Sequence, residues 1–486
     1  MKKYRILSLI LALLMLSSVA ACGGSSSGTQ DSTTPSANSD DTETTPDTTA
    51  ELKPDLPDKK FDGYEFNIVN TVAGWSIYNN EHIVVEEENG EVLNDAIFNR
   101  NRHVEDKYGV KLVETVVSDT SSEITKTVMA GDDEYDLAVS TYSLKLGTEY
   151  LVDWNTLSYT DLSKPWWDQN YIEATSVDGK LCSMVGSIMI THMDSVLAMF
   201  YNQKLAGEYK LPDLYEIVRN GEWTLPKYFE ITKDVTSDTN GDGTFDDRDR
   251  YAFVGLDGIL RLASGVELDY VKKDKDDIPR TNFGDQKLVD ALTKLREYNS
   301  IHKADIYNAR SANGSPNTGG DGDRAVFRIF MNDQALFYVH GLGSAQMFRD
   351  MKSDFGVIPT PKLDETQEDY FIQPDITKCM AIPTTASDLE RTSIILEALA
   401  YEGYSYLRPL YYETMLQNKY LRDEESVEML DEYIYTNIGF APNNGSSTLT
   451  AMKNSLLTGD SEIASTLASN KAAIDGEIAD YVALFK

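Results

Sequence analysis

The sequence predicts a two-lobed α/β protein, and three observations carry that expectation. First, residues 64–141 read as strand, helix, strand, helix, strand. Tyr64-Glu65-Phe66-Asn67-Ile68-Val69 alternates as a strand does. Residues 91–108 place Leu93, Ile97, Val104 and Tyr108 on one helical face, with Gly109 as a terminator. Residues 110–117 form a second strand, 122–130 a short helix and 135–141 a third strand. That order implies a parallel sheet with right-handed crossovers. Second, about 430 residues follow a low-complexity opening, enough for two lobes. Third, strand-like apolar runs return late in the chain, at 335–339 and at 378–383, and the second is expected to cross between lobes.

The opening segment is of another kind. Lys2, Lys3 and Arg5 precede an apolar stretch over 6–19, and small residues lead into Cys22. A basic start, a short apolar run and a small-residue cleavage site make a secretory signal. The run is too short to span a bilayer as a mature helix. Val19-Ala20-Ala21-Cys22 resembles the lipobox of bacterial lipoproteins, which implies cleavage before Cys22 and acylation of its sulfur and new amino terminus. Residues 23–56 hold Gly, Ser, Thr, Asp, Glu and Pro with no aromatic residue. Such a segment cannot bury enough surface to offset its ordering entropy. It is expected to be a tether with a reach on the order of 30–35 Å.

Charge narrows the partners. The 79 acidic and 44 basic residues leave a net charge of −35. Loss of the leader and its three cations would take this to about −38. A surface of that sign repels nucleic acid and anionic lipid, so no nucleic-acid partner is expected. Beyond Cys22 only Cys182 and Cys379 remain. They are neither a disulfide framework nor a metal set. Export permits one bridge between them, but two separately buried thiols are the expected arrangement.

Further along come Pro165-Trp166-Trp167-Asp168, then an apolar stretch over 188–201 interrupted by Thr191, His192, Asp194 and Ser195. Asn202 begins a helix. Thr224 is placed to cap another, with Pro226 in its first turn where a missing N–H costs nothing. Residues 285–298 read as a helix and 310–323 as a polar, Gly-rich surface loop. Residues 389–404, 406–420 and 424–435 read as amphipathic helices, and 461–485 as a closing helix.

Taken in order, several pieces resemble a known family. They are the lipobox, the tether, the strand–helix–strand lobe, Pro165-Trp166-Trp167-Asp168, Phe200-Tyr201-Asn202-Gln203-Lys204-Leu205 and Gly221-Glu222-Trp223-Thr224. Asn332-Asp333-Gln334-Ala335, the Asp354-to-Pro361 segment and Tyr411-Tyr412-Glu413 continue the series. The chain resembles family 1 extracellular solute-binding lipoproteins, the receptors of carbohydrate ABC importers. The resemblance implies a periplasmic-binding-protein-like (type II) fold with interlobe crossover strands as its hinge. It also implies a monomer, lipid-anchored on the extracellular face of a bacterial cell membrane, that delivers a sugar or oligosaccharide to ABC transporter permease subunits and has no catalytic residues. The expected division is a signal peptide at 1–21 and a tether at 22–56. Lobe one takes 57–195 with about 381–438, and lobe two about 196–380 with about 439–486.

One local motif stands apart. In Asp238-Thr239-Asn240-Gly241-Asp242-Gly243-Thr244-Phe245-Asp246-Asp247-Arg248-Asp249, oxygen side chains fall at positions 1, 3, 5, 9 and 12, with glycine at position 6. This is the ligand spacing of an EF-hand calcium loop. Asp238, Asn240, Asp242, Asp246 and Asp249, with the Thr244 carbonyl, are the expected ligands of a structural Ca²⁺. Position 12 carries Asp rather than Glu, and the alternative is a pair of Asx–Gly turns without metal.

Ligands of open α/β sheets bind beyond the carboxyl ends of the strands. A sugar needs aromatic platforms ringed by polar groups. On position, Trp75 and Tyr142 are expected to stack on the ligand, Asp194 to accept hydroxyl protons, and His340 to donate or accept. Trp166 and Trp167 are expected to pack in the core. Two other readings stay open: a peptide or other solute receptor of the same fold, and a surface glycoside hydrolase, which would need two facing carboxylates. Beyond the low-complexity opening, where Gly24-Ser25-Ser26-Ser27-Gly28 matches Gly-x-Ser-x-Gly through its composition, no hydrolase, Walker or dinucleotide motif is present in the sequence.

Overall fold

The computed structural model describes residues 52–72, 81–141, 144–308, 322–413, 421–442 and 445–486. The chain opens with β1 (Tyr64–Asn70), α1 (Val92–Tyr108), β2 (Val110–Val116), α2 (Thr120–Ala130) and β3 (Leu137–Ser140). β1 lies between β2 and β3 and runs parallel to both, with Tyr64 opposite Val110 and Ile68 opposite Leu137. Phe66 and Ile68 of β1 bury against Val104 and Tyr108 of α1 and Leu112 of β2. α1 stops where Gly109 turns left-handed (φ 61°, ψ 43°) and gives its N–H to the Glu105 carbonyl, a conformation that costs glycine little. The Asp119 carboxylate caps α2 by accepting from Ser121 N at 3.0 Å.

α3 (Gln169–Thr175) follows, and then β4 (Leu197–Asn202) opens a second sheet. That sheet adds β5 (Tyr251–Gly255), β8 (Ile306–Asn308), β9 (Ala335–Gly341) and β10 (Phe355–Ile358) in the order β10-β4-β9-β5-β8. A separate hairpin, β6 (Val271–Lys273) and β7 (Pro279–Thr281), precedes α4 (Gln286–His302). β11 (Cys379–Ala381) then returns to the first sheet as an antiparallel neighbour of β3, with Cys379 opposite Ser140. It is the expected crossover strand. α5 (Leu389–Glu402) covers the first sheet against α1, and α6 (Glu424–Met429) covers the second against β10. α7 (Ser447–Thr458) and α8 (Ile463–Ala483) pack on α4. The stretch expected in lobe one up to residue 438 therefore divides. Its α6 belongs with the second sheet, where the Ser426 hydroxyl accepts from Val357 N at 2.9 Å. An amphipathic helix shows that it has a partner without showing which sheet that partner is.

The colinear motifs turn out to be spatial partners. Asp333, held left-handed at φ 58°, accepts from Asn202 Nδ2 at 2.6 Å and Lys204 Nζ at 2.7 Å. The Trp223 indole donates to the Pro359 carbonyl at 2.9 Å, joining the turn at 221–224 to the strand end at 358–361. The two lobes also meet at their rims. The hairpin's Asp277 accepts from Gly179 N at 3.1 Å, and Thr148 N donates to the Leu484 carbonyl at 2.9 Å. Among the described residues no helix is long and apolar enough to cross a membrane. Cys182 and Cys379 are both free and buried, as expected of separate thiols. Burial pushes them up to about 12 and about 11.

Trp166 and Trp167 are fully buried, and their packing explains the doubled tryptophan. Their indole N–H groups donate to the two carboxylate oxygens of Glu397 on α5, at 3.0 and 2.9 Å. One side chain thus satisfies two buried donors that would otherwise be costly. Burial pushes the Glu397 carboxyl up to about 7 from its ordinary 4.5, outweighing both indoles. The folded chain therefore holds this proton more tightly than the unfolded chain. The group's contribution to stability is complete below the unfolded value and is lost as pH rises through the folded one. Between about pH 5 and about pH 8, the melting temperature of the native protein is expected to fall more than that of Glu397→Gln. Parallel profiles for the two proteins would refute this.

Candidate functional site: the cleft between the lobes

The crossings between lobes are tied side by side. Ser195 and Leu197 enter β4 next to the returning 372–379 segment. Leu197 N donates to the Gln373 carbonyl at 2.8 Å, Asp375 N to the Ser195 carbonyl at 2.7 Å, and the Ser195 hydroxyl to the Ile376 carbonyl at 2.5 Å. Lys378, at the foot of β11, has a side chain with no exposed surface. Its ammonium pairs with Glu81 at 3.2 Å and donates to Asn70 Oδ1 at 3.2 Å and to the Thr71 carbonyl. Asn70 in turn donates to Glu114 at 2.8 Å and to the Glu81 carbonyl at 2.7 Å. The hinge strand is thereby locked to the carboxyl end of β1, where sheets of this type present ligand sites.

Beside that lock lies a cavity of about 290 Å³ to which both lobes contribute. Thr141 beyond β3 and Tyr171 of α3 come from the first lobe, Asp375 and Thr377 from the crossing segment, and Phe440 and Lys453 from the second. The Tyr171 and Phe440 rings meet edge to face, 5.2 Å between centroids. A smaller space of about 70 Å³ adjoins it, lined in part by Gln373 and Tyr270, and Lys453 borders both. Hollows of about 370 and 520 Å³ exist elsewhere, but each is built from a single lobe. Asp375 is bound to Arg261 at 2.6 Å.

The ligand residues expected from the sequence divide three ways. Trp75 and Tyr142 lie outside the described residues, as does Cys22. Asp194 is buried just before the first crossing. Its carboxylate accepts from the Tyr411 hydroxyl at 2.5 Å and rests on the backbone at Gly343, where any Cβ would collide with it. His340 is the next-to-last residue of β9, stacked 5.7 Å from Tyr338. Burial pulls it down to about 4, against the upward pull of Asp375 and with the downward push of Arg261, so it is neutral at neutral pH. His340 thus lies within electrostatic reach of the Asp375–Arg261 pair that borders the cavity, although neither Asp194 nor His340 lines it. Tyr171, Asp375, Phe440 and Lys453 were not singled out from the sequence. Lys453 alone left a signal, standing four residues after Leu449 and beside Met452 on a buried helical face.

Residues 98–400 match the family described as bacterial extracellular solute-binding protein. The chain belongs to that family. This solute-binding protein also shares its fold with solved structures at low identity. The sugar-binding protein MalE from Xanthomonas citri is 14% identical with a TM-score of 0.53, over 86% of this chain and 98% of that one. An ABC substrate-binding protein from Listeria monocytogenes, in complex with cycloalternan, is 14% identical with a TM-score of 0.51, over 87% and 100%. No curated protein matches the sequence. The two-lobed type II architecture is therefore that of the solute-binding proteins.

The acidic loop lies on the second lobe, in front of β5. Asp238 accepts from Gly241 N at 2.6 Å and Gly243 N at 2.8 Å, while the fully buried Asp249 accepts from Thr239 N at 3.0 Å and Asp246 N at 2.9 Å. The Arg248 guanidinium bridges Asp242 at 2.9 Å and Asp246 at 2.5 Å. Among the described residues no three His, Cys, Asp or Glu side chains lie close enough together to hold a metal ion. Phe245, at the apolar position 8, points outward at 54% exposure. The spacing of a calcium loop is present, and a cation supplied by the chain sits among its acids.

The hinge lock yields a stability prediction. Lys378→Met takes the ammonium away from buried Glu81, and breaking such a pair typically costs about 3–5 kcal/mol. The urea midpoint should fall accordingly, with the m-value unchanged. A loss under about 1 kcal/mol would mean that the network does not fix the hinge.

Proposed function

We propose that this protein captures a sugar or oligosaccharide between its lobes and presents it to an ABC importer, as a monomer tethered to the outer face of the cell membrane by an acylated Cys22. The observation that carries the sugar reading is the cleft itself. It combines aromatic rings, Tyr171 and Phe440, with the polar groups of Thr141, Gln373 and Thr377 at the mouth of the first sheet, the mixture a hydroxylated ring requires. The sugar-binding protein from Xanthomonas citri and the cycloalternan-bound protein from Listeria monocytogenes, which share its fold, agree with it. Ligand shifts the lobes toward closure only by its greater affinity for the closed form. Binding rather than hydrolysis is favoured because Asp375, the acid at the cavity, is already engaged by Arg261.

The test is a thermal-shift screen of residues 53–486, which form one compact unit, against a panel of soluble oligosaccharides. A sugar at a hundred times its Kd should stabilise the folded state by about 2.7 kcal/mol, with no product formed on standing. Product formation would favour the hydrolase. A shift with peptides and with no sugar would favour the peptide receptor.

We also propose that loop 238–249 takes up a structural Ca²⁺ by displacing Arg248, so that Asp238, Asp242 and Asp246 turn from backbone and guanidinium toward the ion. Hard Ca²⁺ takes six to eight such oxygens. Chelator should lower the melting temperature, and Arg248→Ala should tighten Ca²⁺ because it removes the resident cation. Equal melting with calcium and with chelator in both proteins would refute the site.

A further inference from the structure

Lys453 is at odds with its setting. It stands on α7 among Leu449, Met452 and Leu456, all buried, and it lines the cavity between the lobes. Its Nζ lies over the Tyr270 ring, 5.1 Å from the centroid. The described cleft residues offer it no ion pair. Asp375 is bound to Arg261, and Asp269 to Lys272 at 2.9 Å. Burial alone acts on the Lys453 ammonium, lowering its pKa with no neighbouring carboxylate to offset it. A partly desolvated charge of this kind costs the empty protein stability, and a ring face returns only about 0.5–2 kcal/mol of it. Such a group persists where a ligand completes it.

We propose that Lys453 is the binding residue for an anionic group on the captured solute, and that the ligand is an acidic saccharide bearing a carboxylate or a sulfate ester. The inference rests on the sugar reading above and specifies its chemical class. The chain's net charge of −35 opposes the approach of an anion, so an acidic ligand would depend on a cation placed inside the cleft. The same cavity supplies Thr141 and Thr377 hydroxyls and the Tyr171 and Phe440 rings, groups that would engage the uncharged part of the sugar while the ammonium fixes its acidic end.

The experiment is calorimetric titration of the full purified chain, in detergent, with three probes: an oligogalacturonate, a sulfated disaccharide and a neutral maltooligosaccharide. Lys453→Gln and Lys453→Arg are titrated alongside, and their melting temperatures are recorded without ligand. An acidic probe is expected to bind in preference to the neutral one, and the two acidic probes tell carboxylate from sulfate. Lys453→Gln should weaken that binding by about 30-fold or more, as loss of one member of a desolvated charge pair does. Lys453→Arg should keep most of it. Without ligand, Lys453→Gln should melt at or above the native temperature, because it removes an uncompensated charge, which separates a ligand role from a structural one. Tighter binding of the neutral sugar, or unchanged acidic binding in Lys453→Gln, would overturn this inference and leave the sugar reading standing. Failure of all three sugars to bind would count against both.

Discussion

The buried Lys378 ammonium is the interaction on which the rest of the architecture leans. A two-lobed receptor must let its lobes move without letting the crossing segments drift. Here the returning segment is fixed to the carboxyl end of β1 through Asn70 and Glu81, and to the neighbouring crossing through the Ser195 and Leu197 backbone. The low dielectric around that ammonium makes each contact strong and makes the loss of any one of them expensive. The two crossing segments are therefore tied to each other and to the carboxyl end of β1.

The two lobes are secured differently. In the first, a carboxylate shared by two indoles anchors α5 against the segment before α3. In the second, Asp333 gathers the start of the helix after β4 onto the turn before β9, and Trp223 reaches across to Pro359. Each device joins residues far apart in sequence by polar contacts, buried at the indoles and more open at Asp333. That accounts for short motifs scattered along the chain acting together. It also explains why the motifs are recognisable as a series and uninformative singly: Asp333 has no evident purpose until Asn202 is placed beside it.

Much of the fold was legible before any coordinates. Alternation in β1, the helical stripe of α1 and the glycine after Tyr108 state the local structure outright, because periodicity and backbone sterics act within a few residues. The crossover at 378–383 was legible for the same reason. The lobe to which α6 belongs was not, since an apolar stripe fits either sheet. The cavity between the lobes was less legible. Position along the strands led to Asp194 and His340, which the structure places in the buried frame of the cleft. Lys453 and Asp375 went unnoticed because a helix face and a loop carry no strand-end signature, and their meaning depends on pairings that only the tertiary structure sets.

Two of the three native cysteines have a use that their burial creates. Cys182 and Cys379 are enclosed and held protonated, so they resist alkylating reagents. In residues 53–486, a cysteine introduced on the exposed last turn of the closing helix, for instance at Ala483, would be the one that takes up a dye. That turn sits beside the Thr148–Leu484 hydrogen bond, where the lobes meet at one rim. A dye there would stand beside a contact that any separation of the lobes must alter. The position lies at a contact between the lobes and outside the cleft.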